Sequence, residues 1–246
     1  MKWKDISLYK FQQVEAIQAT PGYDNTDRIL FSVCAIFDLT EHELDNTPIG
    51  QVNKLARLVG RVFQDTFRPI VSRRIGWYRM IYDVGQMTFG QYIELSFFLQ
   101  NEQHIRNAHL CLASISRSLF RSYKTEGHRE RADYFLRMPV EEAIGALKTL
   151  MTSFDSFNRQ FKSLFGLDSA VHEEEEEKDP FYTRYGWVYS ASVVAEYERI
   201  TLDQAYALPV RQALNALSYL KAKAGFDIRQ QDRLMKQYKR TANGGQ

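Results

Sequence analysis

Residues 139–165 read PVEEAIGALKTLMTSFDSFNRQFKSLF, and their spacing decides the fold class. Val140, Ile144, Leu147, Met151, Phe154, Phe157, Phe161, Leu164 and Phe165 recur at three- and four-residue steps. That period places side chains on one face of an α-helix. Pro139 stands where a helix tolerates proline best, in the first turn, because no amide hydrogen is needed there. Gly166 follows as a stop, since helix ends favour a residue free to turn left-handed. The stretch predicts one long helix with a single apolar face, which must be covered by other helices.

Reading outward from it, most of the chain repeats this pattern. Ser7 caps a helix bearing Leu8, Phe11, Val14 and Ile17, ended by Pro21 and Gly22. Asn25 or Thr26 opens a second, with Ile29, Leu30, Val33, Ile36 and Phe37. Thr40 and Glu43 have the spacing of a capping box on a short helix. Thr47-Pro48 opens a helix with Ile49, Val52, Leu55, Val59, Val62 and Phe63 inward. Across 67–82 the pattern changes to aromatic and β-branched residues broken by Gly76, which predicts a small hairpin near 70–84. Thr88 caps a helix over 89–100. A further helix is expected over 102–122 with Ile105, Ala108, Leu112, Ile115 and Leu119 inward, and a short one over 129–137.

Residues 168–180 include five consecutive glutamates, 173–177. Charges of one sign at this density repel and resist packing, so the segment reads as an exposed acidic linker. Beyond it come a helix over 182–197, a short one capped by Thr201, and one opened by Pro209 that buries Val210, Ala213, Leu214, Leu217 and Leu220. That last helix turns basic at Arg229, Arg233, Lys236, Lys239 and Arg240, and 241–246 are expected to be disordered. The expected fold is mainly α. A multi-helix domain with one small β-hairpin spans 1–167, the linker spans 168–180, and a smaller C-terminal helical module with a basic tail spans 181–246.

Composition narrows the function. Hydrophobic residues make up 44% and aromatic residues 13%, enough to bury a core. A formal net charge of +2 over 246 residues gives no sign of a dedicated nucleic-acid binder, so direct nucleic-acid binding is not expected. The two cysteines, Cys34 and Cys111, sit among apolar neighbours and form no disulfide framework, which fits a reducing compartment. The opening MKWKDISLYKFQQ has no apolar run of a signal peptide. No stretch approaches the ~20 apolar residues of a membrane span.

Catalytic groupings do not emerge. His42, His104, His109, His128 and His172 never take the i, i+4 spacing that points two imidazoles at one metal ion. No phosphate-binding glycine loop and no G-x-S-x-G is present. No catalytic residue, metal or cofactor is therefore assigned, and a non-enzyme is expected. The segment YTRYGWVY at 182–189 is dense in aromatics. On a helix Tyr182, Tyr185 and Tyr189 share a side, and tyrosine is enriched in protein interfaces. With Arg233, Lys236 and Lys239 of the basic tail they form the candidate partner-binding set, and Trp187 is read as core. Arg68, Arg73, Arg74 and Arg79 surround the hairpin, where arginine commonly guards an exposed strand edge.

Several stretches resemble one family. DISLYKFQQVEAI at 5–17, LTEHELDNTPIGQVNKL at 39–55, GWYRMIYDVGQMTFGQYIEL at 76–95, ERADYFLRMPVEEAIGAL at 130–147 and the segment 185–224 look, in order, like tail assembly chaperone-like proteins of tailed bacteriophages, especially those infecting Bacteroidota. The resemblance implies a non-enzymatic protein of phage morphogenesis that binds an elongated tail protein of the tape-measure kind. It implies no catalytic residues. Its partners would be phage tail or neck proteins, with homo-oligomerisation left open and no membrane. Its location would be the host cytoplasm during assembly, with retention in the virion left open. The alternative is a virion structural protein of the neck or tail, a ring or connector subunit.

Overall fold

A computed structural model describes residues 1–99, 104–118, 127–165 and 180–243, with the side chains of 118, 182, 183 and 239–243 left aside. The chain is mainly α-helical with one small antiparallel sheet. In order, the helices are α1 (Leu8–Ala19), α2 (Asn25–Phe37), α3 (Glu41–Asp45), α4 (Ile49–Gln64), α5 (Phe89–Leu99), α6 (Ala108–Ile115), α7 (His128–Leu136), α8 (Val140–Asn158), α9 (Pro180–Glu198), α10 (Leu202–Ala207) and α11 (Val210–Asn243). The strands are β1 (Arg74–Ile75), β2 (Tyr78–Met80) and β3 (Ser116–Ser118).

Side-chain capping sets many of the helix starts. Ser7, Asp24, Thr40, Asp83 and Thr201 each accept a hydrogen bond from a backbone amide two or three residues on. At α3 the box is reciprocal: Thr40 accepts from the Glu43 amide at 3.2 Å, and Glu43 accepts from the Thr40 amide at 2.8 Å. The Thr40 amide, together with the Thr40 hydroxyl donating at 2.9 Å, holds the Glu43 carboxyl below its usual pKa. Replacing Thr40 by alanine is expected to cost about 1 kcal/mol, the usual loss on removing an N-cap, measured by urea unfolding.

The chain divides into two compact units that are not contiguous in sequence. The first comprises Met1–Tyr82 and Glu94–Thr152, the second Asp83–Ile93 and Ser153–Gln246. Residues 83–93 and 153–165 thus belong with the C-terminal helices rather than with the expected domain 1–167. Both α5 and α8 are divided between the units. The acidic stretch expected as a linker over 168–180 lies outside the described residues except for Pro180, which begins α9.

In the first unit, Trp3, Ile6, Val14, Val33, Ile36, Val52, Val59, Val62, Val140 and Ile144 form the core between α1, α2, α4 and α8. Trp3 meets the rings of Phe11, Phe63 and Phe67 edge-on at 5.0–6.1 Å. The sheet order is β1-β2-β3. The hairpin is therefore present, but it gains a third strand. The helix expected over 102–122 is replaced by α6, which stops at Ile115, followed by β3 on the free edge of β2. Ser114 and Ser116 explain the break: serine hydroxyls compete for backbone groups and weaken a helix interior. Ser114 and Ser116 indeed donate to the carbonyls of Leu110 and Ala113.

The two units contain the same joint. In the first, the Leu8 amide donates to the Met138 carbonyl and the Val140 amide to Ile6, both at 2.9 Å, around a bridge between Ser7 and Pro139. In the second, the Phe89 amide donates to Leu208 at 2.8 Å and the Val210 amide to Met87 at 3.0 Å, around a bridge between Thr88 and Pro209. Each joint is preceded by a 3-10 turn, Trp3–Asp5 or Val84–Gln86. The sequences correspond: Pro139, Val140, Ala143, Ala146 and Leu147 match Pro209, Val210, Ala213, Ala216 and Leu217. Proline serves here because it donates no amide hydrogen and starts the following helix.

Candidate functional site

The candidate surface lies on α9 and α11, both in the second unit. The α9 helix divides its faces sharply. Ala191 and Val194 are fully buried and Ala195 nearly so, while Trp187 meets Tyr92 at 5.7 Å and Phe89 at 6.3 Å, edge to face in both cases. The opposite side leaves Phe181, Tyr185, Val188 and Tyr189 each between 43% and 47% exposed. Phe181 lies 5.6 Å from Tyr185 and 6.1 Å from Tyr189, ring to ring, and the Arg184 guanidinium sits 5.3 Å from the Tyr185 ring. The helix thus presents a short ladder of three aromatic rings and one valine, and sequence reasoning missed two of its members, Phe181 and Val188. Spacing of four from Tyr185 was the signal for Phe181. The Tyr182 side chain lies outside the described residues.

The α11 helix begins as core and continues as surface. Val210, Ala213 and Leu214 are fully buried. From Lys221 to Tyr238 every side chain is exposed except those at Gly225 and Gln230. Among the exposed large apolar side chains of this stretch, Ile228, Leu234, Met235 and Tyr238 fall within about 120° at about 100° per residue, while Phe226 lies on the other side. Arg229, Arg233 and Lys236 occupy the opposite side. Arg233 and Lys236 are exposed as expected from sequence, and the Lys239 side chain lies outside the described residues. The helix was expected to stop near 240; its backbone runs on through Asn243. Two of the tyrosines are brought together by α9, whereas the basic pair lies on a different helix.

Elsewhere the chemistry is quiet. Two open grooves of about 620 and 590 Å³ occur, one lined by Tyr197, Glu198, Arg211, Gln212 and Tyr219, the other in the first unit by Tyr9, Ile17, Tyr23, Phe31 and Cys34. In the second groove Cys34 lies with Asp38 and Glu41, and among the described residues no hydrogen bond joins its thiol to either. Burial pushes the Cys111 thiol up to about 12 and raises Cys34 as well, which keeps both protonated and unreactive at neutral pH. Among the described residues no group of His, Cys, Asp and Glu has the arrangement of a metal site, and no helix is long and apolar enough to cross a membrane.

His109 and His128, in the first turns of α6 and α7, are half-buried. The Gln12 amide lies 3.3 Å from Nδ1 of His109, and His128 stacks on Phe98 with Nε2 3.0 Å from the Ser114 hydroxyl. Burial lowers both pKa values below the ordinary 6.5. Below that pH the unfolded chain binds protons that the folded chain refuses, so stability falls as the pH drops through the depressed folded values. The melting temperature is expected to decline from pH 7 to about pH 5, and the double variant H109Q/H128Q to show a flatter decline over that window. Equal slopes for the two proteins would count against this assignment.

No family model matches the chain, and no curated protein and no solved structure is significantly similar to it.

Proposed function

We propose that the chain is a non-enzymatic protein of bacteriophage morphogenesis, a tail assembly chaperone that binds an elongated helical tail protein of the tape-measure kind. The single observation that carries the reading is the exposed aromatic ladder on α9, Phe181, Tyr185, Val188 and Tyr189. A contiguous aromatic and apolar face of this kind suits an amphipathic helix laid across it, which buries its own apolar side in exchange. The basic side of α11 adds charge that attracts an acidic client and speeds its capture. The order of sequence stretches that resemble phage tail assembly proteins supports a tail protein as that client.

A second reading, a ring or connector subunit of the neck or tail, is favoured by one feature of α11. Ile228, Leu234, Met235 and Tyr238, all exposed, share one side of the helix, a face that a neighbouring subunit's helix would cover.

The test is a variant in which Tyr182, Tyr185, Tyr189, Arg233, Lys236 and Lys239 are all alanine. Client binding is expected to weaken at least tenfold while the melting curve stays unchanged, because the described members of the set are exposed. Unchanged binding by a folded variant would remove this surface from the account.

A further inference from the structure

The register of the small sheet places three arginines in one row. Arg74 is the cross-strand partner of Arg79, and Arg79 is the partner of Arg117. Directly opposed residues point to the same side of a sheet, with Cβ atoms about 4.5–5.5 Å apart. The other side carries Ile75, Tyr78 and Met80, of which Ile75 and Met80 are buried. The arginine side is therefore the outer one: Arg74 and Arg79 are exposed and Arg117 is half-buried.

Like charges opposed across a ladder are destabilising. Burial first, and then Arg79, lower the pKa of Arg117. Among the described residues no carboxylate stands within salt-bridge distance of Arg74 or Arg79. Protection of a strand edge does not account for the row, because Arg79 belongs to β2, the central strand, which is paired on both sides.

At the β1–β2 turn stands Trp77, 68% exposed. Gly76 before it has φ +54°, and a Cβ there would strike the Tyr134 hydroxyl, so the turn is held against Tyr134 while the indole faces solvent. Arginine forks match phosphate oxygens in pairs. An exposed indole beside them offers a base a stacking platform. A peptide of acidic residues alone would satisfy the arginines but leave the indole without a stacking partner.

We propose that Arg74 and Arg79, with Trp77, form a binding site for the sugar-phosphate backbone and one stacked base of a single-stranded nucleic acid. The near-zero net charge of the chain does not bear on this, since it averages over a surface on which the sheet concentrates cations locally.

The experiment is fluorescence anisotropy of a labelled oligothymidylate of about twenty nucleotides, titrated with the full chain from about 50 to 200 mM salt. Affinity is expected to fall with salt. The variant R74Q/R79Q, which alters exposed side chains only, is expected to bind at least tenfold more weakly and to reduce the log–log salt slope by about 1.4, about 0.7 per lost phosphate contact on a single strand. W77A is expected to weaken binding about five- to tenfold with no change in slope. Unchanged thermal melting of both variants would show that their losses come from the site. The proposal is overturned if the wild-type chain fails to bind at the lowest salt or binds duplex equally well. It is also overturned if affinity survives R74Q/R79Q but is lost in R233A/K236A, or if a polyglutamate peptide binds with the same dependence on Arg74 and Arg79.

Discussion

Replacing Tyr92 by alanine is expected to lower the unfolding free energy by about 3–5 kcal/mol, the range for deleting a large buried aromatic side chain. Tyr92 is 1% exposed. Its ring stacks on Phe154 at 5.3 Å and lies near Phe157 and Trp187 at 6.1 and 5.7 Å. Its hydroxyl donates to Oδ1 of Asn158 at 2.8 Å. Alanine would leave a cavity among three aromatic rings that cannot collapse without breaking their mutual geometry. Phenylalanine keeps the rings and loses the bond from the hydroxyl to Asn158, at a cost of about 1 kcal/mol. Chemical denaturation of the three proteins checks both numbers. If Y92A loses no more than Y92F, the aromatic cluster is not what organises the second unit.

Replacing Gly145 by alanine is expected to destabilise the first unit by roughly 2–3 kcal/mol, the scale of an overpacked site. A Cβ at this position of α8 would fall against the backbone carbonyl group of Ile70. The chain crosses the helix there, with the Ile70 amide donating to the Glu141 carbonyl at 3.0 Å. A flexible side chain would yield to a methyl group, but backbone tied by a hydrogen bond does not. Gly60 and Gly50, on the same kind of helix, have open space where a Cβ would go. G60A is therefore expected to be neutral or slightly stabilising through helix propensity. Thermal melting of G145A and G60A side by side separates close packing from propensity, and equal shifts would contradict the close crossing.

The helices were legible because their signals are local. Caps such as Ser7, Thr40 and Thr201, and apolar residues at three- and four-residue steps, depend only on near neighbours in the chain. The third strand was not legible, because Ser116–Ser118 becomes a strand only by meeting the free edge of Tyr78–Met80. The arginine row was hidden for the same reason, since Arg117 comes from a segment that reads as helix. The repeated joint was present in the sequence as MPV at 138–140 and LPV at 208–210, but few residues match around it. What it shares is a hydrogen-bond pattern between distant segments. The division into units was hidden too, because α5 and α8 are each continuous helices that serve both. At the candidate surface, the shared side of Tyr185 and Tyr189 followed from helical period, and of the α11 residues expected to be buried Val210, Ala213 and Leu214 are, while Leu217 and Leu220 are half-buried.

The proposed role in assembly rests on the binding of a helical client. Its most direct test is the mass, by light scattering, of the full chain co-expressed with an elongated tail protein of the tape-measure kind. The account predicts one discrete soluble complex containing both proteins, absent when the six-alanine variant replaces the wild-type chain. A chain that elutes free of the tail protein, with the tail protein equally insoluble in its presence and absence, would contradict it.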